Sequence, residues 1–409
     1  MAALDALRGW TTTQKHVVLA SYLGWMLDAF DFFLLVFVLK DVAKEFGVDR
    51  ETVAWAITLT LALRPVGAFL FGRLADRFGR RPALMADVAL YSVFGFATAF
   101  APSLIAFLAI RAAFGIAMGG EWGIGASLTM ESVRPTARGL VSGILQSGYP
   151  SGYLLASIVY GVLYTHIGWR GMFMVSIIPA LLVLYIRRSV PESPGWSPQL
   201  RARGTILNIL ERHWKLAIYA ILLMTAFNFF SHGTQDLYPT FLQVQHKFDP
   251  HTVGTIAVIY NIGAILGGWT FGLLSQSLGR RRTIIIAALL AIPATYLWAF
   301  STTAVMLGLG AFLIQFFVQG AWGVIPSHLN ELSPPEARGT FPGTVYQLGN
   351  LIASSNAVIQ SAAAARAAGN YSVALASVAI SAALIIALLT AIGREAKDMD
   401  MVMARTAAD

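Results

Sequence analysis

The sequence has no cysteine. A disulfide framework, a thiolate metal site and a cysteine nucleophile are therefore excluded. Charge is nearly as scarce. Asp, Glu, Lys and Arg make up 12% of the 409 residues, where soluble domains carry about 25%. That leaves too little polar surface to wet a globule of this length, which argues against a soluble enzyme, a disordered chain or a nucleic-acid-binding domain. Catalytic motifs are missing as well. There is no GxxxxGK[ST] phosphate loop, so ATP-driven transport is not expected. There is no HExxH or His-rich tract to bind metal, and no serine in a GxSxG elbow. Ser231 adjoins His232 near Asp236, but neighbours on a helix point to different faces, so these are not read as a triad. No catalytic residue, metal ligand or cofactor is expected. Residues 1–16 are mixed polar, and the apolar run behind them is membrane-spanning in length, unlike a cleaved signal peptide.

What the chain has in abundance is apolar length, with 56% hydrophobic residues. A helix needs about 20 apolar residues to cross the hydrocarbon core. Twelve runs qualify, near 17–39, 53–72, 83–101, 104–127, 139–163, 169–188, 216–242, 252–274, 283–300, 303–329, 340–362 and 372–393. They are continuously apolar, where barrel strands would alternate, so an all-α integral membrane fold is expected. Lys and Arg set its orientation. One side holds 21 of them and the other 6, with Arg64 and Arg111 inside spans. The excess places both termini in the cytoplasm. It also explains the net charge of +8 as topology, with no nucleic-acid partner.

Shifted by 200 positions, the chain falls on itself without gaps at its recognisable motifs. Gly72, Gly79, Arg80 and Arg81 meet Gly272, Gly279, Arg280 and Arg281. Gly120, Trp122 and Gly123 meet Gly320, Trp322 and Gly323. Glu131, Pro135, Ala137, Arg138 and Gly139 meet Glu331, Pro335, Ala337, Arg338 and Gly339. This predicts two parallel six-helix halves, 1–188 and 216–409 with a short cytoplasmic tail, joined by a polar cytoplasmic connector over 189–215. Such a layout suits transporters that rock around a midplane site.

The stretch Gly72-Arg-Leu-Ala-Asp-Arg-Phe-Gly-Arg-Arg81, with its weaker echo at 272–281, resembles the loop signature of the major facilitator superfamily. Within it, Leu27-Asp-Ala-Phe-Asp-Phe-Phe33 and Gly119-Gly-Glu-Trp-Gly123 resemble the sialate:proton symporter family. The sharpest match is Asn228-Phe-Phe-Ser-His-Gly-Thr-Gln-Asp-Leu-Tyr-Pro-Thr240. It is similar to the N-x-x-[ST]-H-x-[ST]-Q-D-x-x-x-T signature of the lactate/pyruvate permease branch. The resemblance implies the major facilitator fold and a proton-coupled importer of short monocarboxylates. Sialic acid transporters of the family tend to carry extra spans between the halves. The connector here is too short to hold two, which disfavours sialic acid.

Ionisable residues within spans are functional candidates by default. A carrier of an anion with a proton needs a cation for the carboxylate and an acid for the proton. At 1.5 Å per residue, Asp28 and Arg64 both lie roughly 16 Å into the membrane from opposite faces, at one level. Asp31 and Arg111 lie at nearly another. Two cross-helix pairs are expected, Asp28–Arg64 and Asp31–Arg111. Arg64 is the first choice to grip the substrate, through a planar guanidinium fork. The resemblance supports Arg111 more as a charge partner for an acid of the first span. On the seventh span Asn228, His232 and Asp236 share a face, with Ser231 and Gln235 in a second stripe. His232 titrates near neutral pH, which suits a proton relay with Asp236 or a second grip on the carboxylate. An interhelical packing network is the plainer alternative. Glu121, in the inner third, shares the proton-carrier role with Asp28 and Asp31; Ala321 replaces it in the second half. Gln146, Tyr149, Gln347 and Asn350 are candidate cavity-lining groups, with Gln146 and Gln347 near-equivalent in the repeat.

Gly72, Asp76, Arg77, Gly79 and Arg80 have the spacing of a gate latch, and the resemblance implies control of the outward-open state. Gln276 and Ser277 replace Asp76 and Arg77 in the second copy, so an asymmetric latch is expected. Topology charge alone would account for Arg80 and Arg81. Closely spaced glycines, among them Gly115, Gly119, Gly123, Gly139, Gly143, Gly148 and Gly152, read as sliding surfaces. The expected protein is a symporter of the inner (plasma) membrane that takes up a small organic acid anion with a proton and works as a monomer in the lipid bilayer. A symporter for a sialic, aromatic or dicarboxylic acid, a non-transporting receptor of the same fold and a drug:proton antiporter are the alternatives. Arg64 counts against the last.

Overall fold

The computed structural model describes residue 6, residues 9–198 and residues 206–401. The chain ends, and 199–205 of the expected connector, lie outside the described residues. The described chain is helical, and its twelve spans form two halves of six. Span 1 is Thr12–Phe46, span 2 Arg50–Phe78 and span 3 Arg80–Thr98. Span 4 is made of Leu104–Met118 and Glu121–Ser132. Span 5 is made of Arg138–Gln146 and the first part of Gly148–Val175. Span 6 ends as Ala180–Ser189. The second half repeats the order. Span 7 is Ile206–Gln235, span 8 Pro250–Leu278 and span 9 Arg280–Phe300. Span 10 is Ala304–Trp322 with Ile325–Leu332, span 11 is Phe341–Ala353 with Asn356–Arg366, and span 12 is Tyr371–Ile392. Among the described residues, eight helices are by themselves long and apolar enough to cross a membrane.

The repeat extends to how the helices begin. Asp49 caps span 2 by accepting the Thr52 N–H at 2.6 Å, and Asp249 caps span 8 by accepting the Thr252 N–H at 3.1 Å. Ser103 and Thr303 cap spans 4 and 10 in the same way, each at 3.3 Å. These side chains satisfy N–H groups that the first helical turn leaves free. Between spans 2 and 3 the chain turns on Gly79 alone, with φ 113°, and between spans 8 and 9 on Gly279, with φ 93°. A side chain would strain both positions. Spans 5 and 6 are likewise separated by a single break at Gly168, with φ 61°.

Two expectations on boundaries need correction. Span 7 starts by residue 206, inside the polar stretch read as connector. It also ends at Gln235 instead of 242. A turn follows, then Tyr238–Thr240 and a wider-wound Phe241–Gln245. The glycines read as sliding surfaces divide into two groups. Gly115 and Gly119 seat the backbone of span 2, and Gly148 and Gly152 that of span 1, so they pack one half internally. Gly123, Gly139 and Gly143 do meet the other half, at Gly343, Gly272 and Gly268.

Candidate functional site

A cavity of about 510 Å³ lies between the halves. Its floor is aromatic. Tyr346 packs against Trp122 at 4.7 Å, Trp322 at 5.5 Å and Trp25 at 6.4 Å between ring centroids. The Trp122 indole N–H donates to Gln146 Oε1 at 3.1 Å. Phe33, Tyr149, Tyr153 and Tyr260 extend the aromatic wall. Gln146, Tyr149 and Asn350 line the cavity as expected, but Gln347 does not. The 200-residue shift pairs Gln146 with Tyr346, and it is Tyr346 that faces the cavity. Gln347, one residue and about 100° further round the helix, is buried behind Asn350 and accepts its amide N–H at 3.4 Å.

The N-terminal half contributes one charged side chain to this wall, Arg64. It is almost fully buried, its Nη2 donates to Asp28 Oδ2 at 2.9 Å, and its guanidinium lies 5.8 Å from the Trp25 ring centroid. The expected Asp28–Arg64 pair is therefore formed. The expected Asp31–Arg111 pair is not. The Arg111 guanidinium lies over Phe114 at 3.9 Å, and neither it nor the Asp31 carboxyl makes a hydrogen bond of regular geometry. The two groups are near enough to interact electrostatically, but they do not close into an ion pair. Asp28, Asp31 and Glu121 are fully buried behind the cavity wall, not on it. A fourth buried acid, Asp87 of span 3, joins them and was missed. Its signal was a lone carboxylate within an apolar run.

The C-terminal half supplies amides, a hydroxyl and one imidazole–carboxylate pair. Asn228, Ser231, His232, Gln235 and Asp236 all line the cavity, so the two expected stripes of span 7 form one polar wall. His232 Nδ1 lies 3.2 Å from Asp236 Oδ1, and Nε2 lies 2.8 Å from Asn350 Oδ1. Gln235 donates to Gln315 at 3.0 Å, and Gln319 donates to Ser231 at 3.3 Å. Gln315 and Gln319 were missed, although their i, i+4 spacing on span 10 put them on one face. The cavity thus sets one guanidinium across from a field of amides, a hydroxyl and an imidazole paired with the Asp236 carboxylate. That combination can bind a small carboxylate and the polar groups beside it.

Among the described residues, the hydrogen bonds that join the halves fall on the side of the 72–81 loop or at the centre. Asp76 accepts the Gly339 N–H at 2.7 Å, the Thr340 N–H at 3.0 Å and the Thr340 hydroxyl at 2.5 Å. At the equivalent place Gln276 accepts the Gly139 N–H at 3.1 Å and donates to Pro135 O at 3.0 Å. The latch is asymmetric in charge, as expected, but equivalent in position. Arg80 exceeds the expectation of a topology charge. It is buried and forks onto Glu131 at 3.2 and 3.0 Å, as Arg280 does onto Glu331 at 2.9 Å on both arms. Arg338 reaches Glu131 at 3.7 Å and Arg138 reaches Glu331 at 3.9 Å, so each fork also ties the two halves together. Arg77 is exposed, with its guanidinium 5.3 Å from the Phe78 ring centroid. Gly72 packs against Thr340, and Gly79 leaves room for Glu192, which accepts the Arg80 N–H at 2.8 Å. Burial raises the Glu192 carboxyl above its ordinary range, against the pull of those N–H donors.

Residues 22–246 match the family model described as Major Facilitator Superfamily, and residues 214–393 the one described as Sugar (and other) transporter. The chain is 29% identical over 391 residues to a "Carboxylic acid transporter protein homolog" of Saccharomyces cerevisiae. That match covers 89% of this chain and 63% of the length of the yeast protein. It is 30% identical over 362 residues to a "Probable 4-methylmuconolactone transporter" of Cupriavidus pinatubonensis, covering 84% of this chain and 82% of that protein. Among solved structures it resembles the proton:xylose symporter XylE bound to 6-bromo-6-deoxy-D-glucose. The TM-score is 0.76 at 18% identity, over 97% of this chain and 99% of that one. With the family model covering more than half of the chain, and the helices arranged as two repeated halves around one cavity, this integral membrane protein belongs to the major facilitator superfamily of transporters and is not an enzyme.

Proposed function

We propose that this chain is a proton-coupled symporter of the lactate/pyruvate branch, importing a small monocarboxylate by alternating access. The observation that carries the reading is Arg64, the charged side chain that the N-terminal half places on the wall of a cavity lined besides by aromatics, aliphatics, amides and hydroxyls and, on the facing wall, by the His232–Asp236 pair. Asp28 already holds this guanidinium. A substrate carboxylate that takes the guanidinium competes with Asp28, which then balances its own charge by accepting a proton. Anion binding and proton uptake are linked in that exchange, with His232 and Asp236 as a second titratable pair on the facing wall. The two halves, 1–188 and 216–409 with the connector 189–215, then rock about the cavity. The loop arginines face the cytoplasm, as do both termini, the membrane is the inner (plasma) membrane, and the protein acts as a monomer.

The test is labelled L-lactate uptake into proteoliposomes with and without an inward proton gradient. Wild type accumulates L-lactate with the gradient. Arg64→Ala loses uptake about 10- to 100-fold, since hydrogen bonds to charged groups contribute about 1.5–3 kcal/mol each. Uptake that survives in Arg64→Ala would move the anion grip to span 7. A second reading, a symporter for a larger aromatic or cyclic acid, is favoured by the cavity's size and its aromatic walls. Pockets for drug-sized ligands measure about 300–1,000 Å³. Benzoate that competes with L-lactate, or is accumulated in its place, would select it.

A further inference from the structure

Asp31, Asp87 and Glu121 are fully buried, and none of their six oxygens makes a hydrogen bond of regular geometry; the Gly120 N–H is the donor beside Asp87 and the Ser176 hydroxyl the donor beside Asp31. Each sits where a neighbouring helix carries a glycine. A Cβ on Gly95 would lie 3.6 Å from Asp31 Oδ2, a Cβ on Gly120 would lie 2.7 Å from Asp87 Oδ1, and a Cβ on Gly24 would overlap Glu121 Oε1. Gly24 and Gly120 thus leave the space that Glu121 and Asp87 fill, whereas Gly95 makes room for Ser176, whose Cβ lies 2.8 Å from the position of that added Cβ, with Asp31 in ordinary contact beside it. With Asp28 the cluster counts four carboxyls against two guanidiniums, Arg64 and Arg111. An unpaired charge is costly in such surroundings, so the cluster balances when two of the four acids carry protons. Asp87 faces Asp28, Arg64 and Glu121, and Asp31 faces Arg111, Asp28 and Ser176. Tyr91 interacts electrostatically with all four acids. In the other half their counterparts are Asn228, Ser231, Ala287 and Ala321, so the six-helix scaffold does not require them. Counted from Arg80, Asp87 lies roughly 10 Å from the loop-side end of span 3, while Asp31 lies beyond the middle toward the other face.

We propose that Asp87 carries the transported proton, as the inner station of a path through Asp31, Asp28, Glu121 and Asp87 that runs beside the substrate cavity and not through it. The proposal rests on the symport reading above. At each step the O–H bond of one carboxylic acid breaks and a new O–H bond forms on the next carboxylate, through a water molecule between them or on a rotamer change that brings the two into contact, and nothing is oxidised or reduced. The last O–H bond, on Asp87, breaks when the halves part on the loop side, and its proton passes to water that enters from there.

The experiment compares wild type, Asp87→Asn and Asp87→Glu in proteoliposomes with L-lactate as probe. Net accumulation is read under an inward gradient of about one pH unit, which supports at most about tenfold accumulation with one proton per anion. Lactate–lactate counterflow at equal pH, which moves no net proton, is read alongside. Asp87→Asn is expected to bring the accumulation ratio close to one while counterflow persists, and Asp87→Glu to restore accumulation. Independently of substrate, the infrared carbonyl band of protonated buried carboxyls in the purified protein weakens in Asp87→Asn. Accumulation unchanged in Asp87→Asn, counterflow lost together with it, or an unchanged infrared band each overturns the proposal. A wild type that moves no L-lactate refutes the substrate reading instead, and the infrared band then decides on Asp87.

Discussion

Replacing Asp76 by asparagine tests the account of the seal between the halves. The Asp76 carboxylate takes two backbone N–H groups and one hydroxyl from the start of span 11, at 2.7, 3.0 and 2.5 Å. Hydrogen bonds to a charged acceptor contribute about 1.5–3 kcal/mol each. Asparagine keeps one acceptor oxygen for the Gly339 N–H, but turns its amide N–H₂ toward the Thr340 N–H, donor against donor. One charge-assisted bond is lost outright and the others weaken, costing the sealed arrangement about 2–4 kcal/mol, or roughly 30- to 1,000-fold in the sealed-to-open ratio. Gln276→Ala, at the equivalent place, removes only neutral bonds between the halves, since its contacts with Arg280 and Asp398 stay within one half. That costs about 1–2 kcal/mol or roughly 5- to 30-fold. The chain has no cysteine of its own, so spin labels can be placed at Phe78→Cys and Leu278→Cys without other changes. Both positions are exposed at the loop-side ends of spans 2 and 8. The distance distribution should gain a longer population in Asp76→Asn, and a smaller one in Gln276→Ala. A distribution that does not change in Asp76→Asn, or a larger shift in Gln276→Ala, would refute the reasoning.

Close packing at the same seam and the chemistry of the outer turn give two further expectations. A Cβ on Gly72 would lie 2.6 Å from the Thr340 Cα, a backbone atom that cannot swing aside. Gly72→Ala should therefore open the loop-side seam in the same spin-label measurement, whereas Gly161→Ala, with open space around it, should not. His246, in the turn that follows span 7, packs edge-on against Phe241 at 4.7 Å, and burial lowers its pKa. A depressed histidine stabilises the fold fully above its unfolded value of about 6.5, and that contribution is lost as pH falls through the folded value. Amide exchange across 241–248, corrected for intrinsic rate, should therefore quicken below about pH 6.5, and His246→Phe should remove that dependence. An equal pH response in the variant would show that another group controls the turn.

Much of this protein is written in its sequence, because a bilayer enforces simple rules. Backbone groups in hydrocarbon must pair within their own segment, so an apolar run of span length can only be a helix, and the twelve runs are helical. The 200-residue repeat reads through to matching caps at Asp49 and Asp249 and matching single-residue turns at Gly79 and Gly279, since local chemistry decides these. Helix rise placed Asp28 level with Arg64, and the i, i+4 rule put Asn228, His232 and Asp236 on one face. What sequence leaves open is rotation about each helix axis, which packing against neighbours sets. Depth alone paired Asp31 with Arg111, while packing laid Arg111 over Phe114. Similar side chains suggested Gln347 as the partner of Gln146, while the turn of span 11 presents Tyr346 to the cavity. The notches that Gly24 and Gly120 leave for Glu121 and Asp87 exist only between assembled helices. Residue type and spacing thus determined the elements and their depth. The tertiary structure alone decided which of the buried charges faces the cavity and which lie behind its wall, because that depends on how the helices turn against one another.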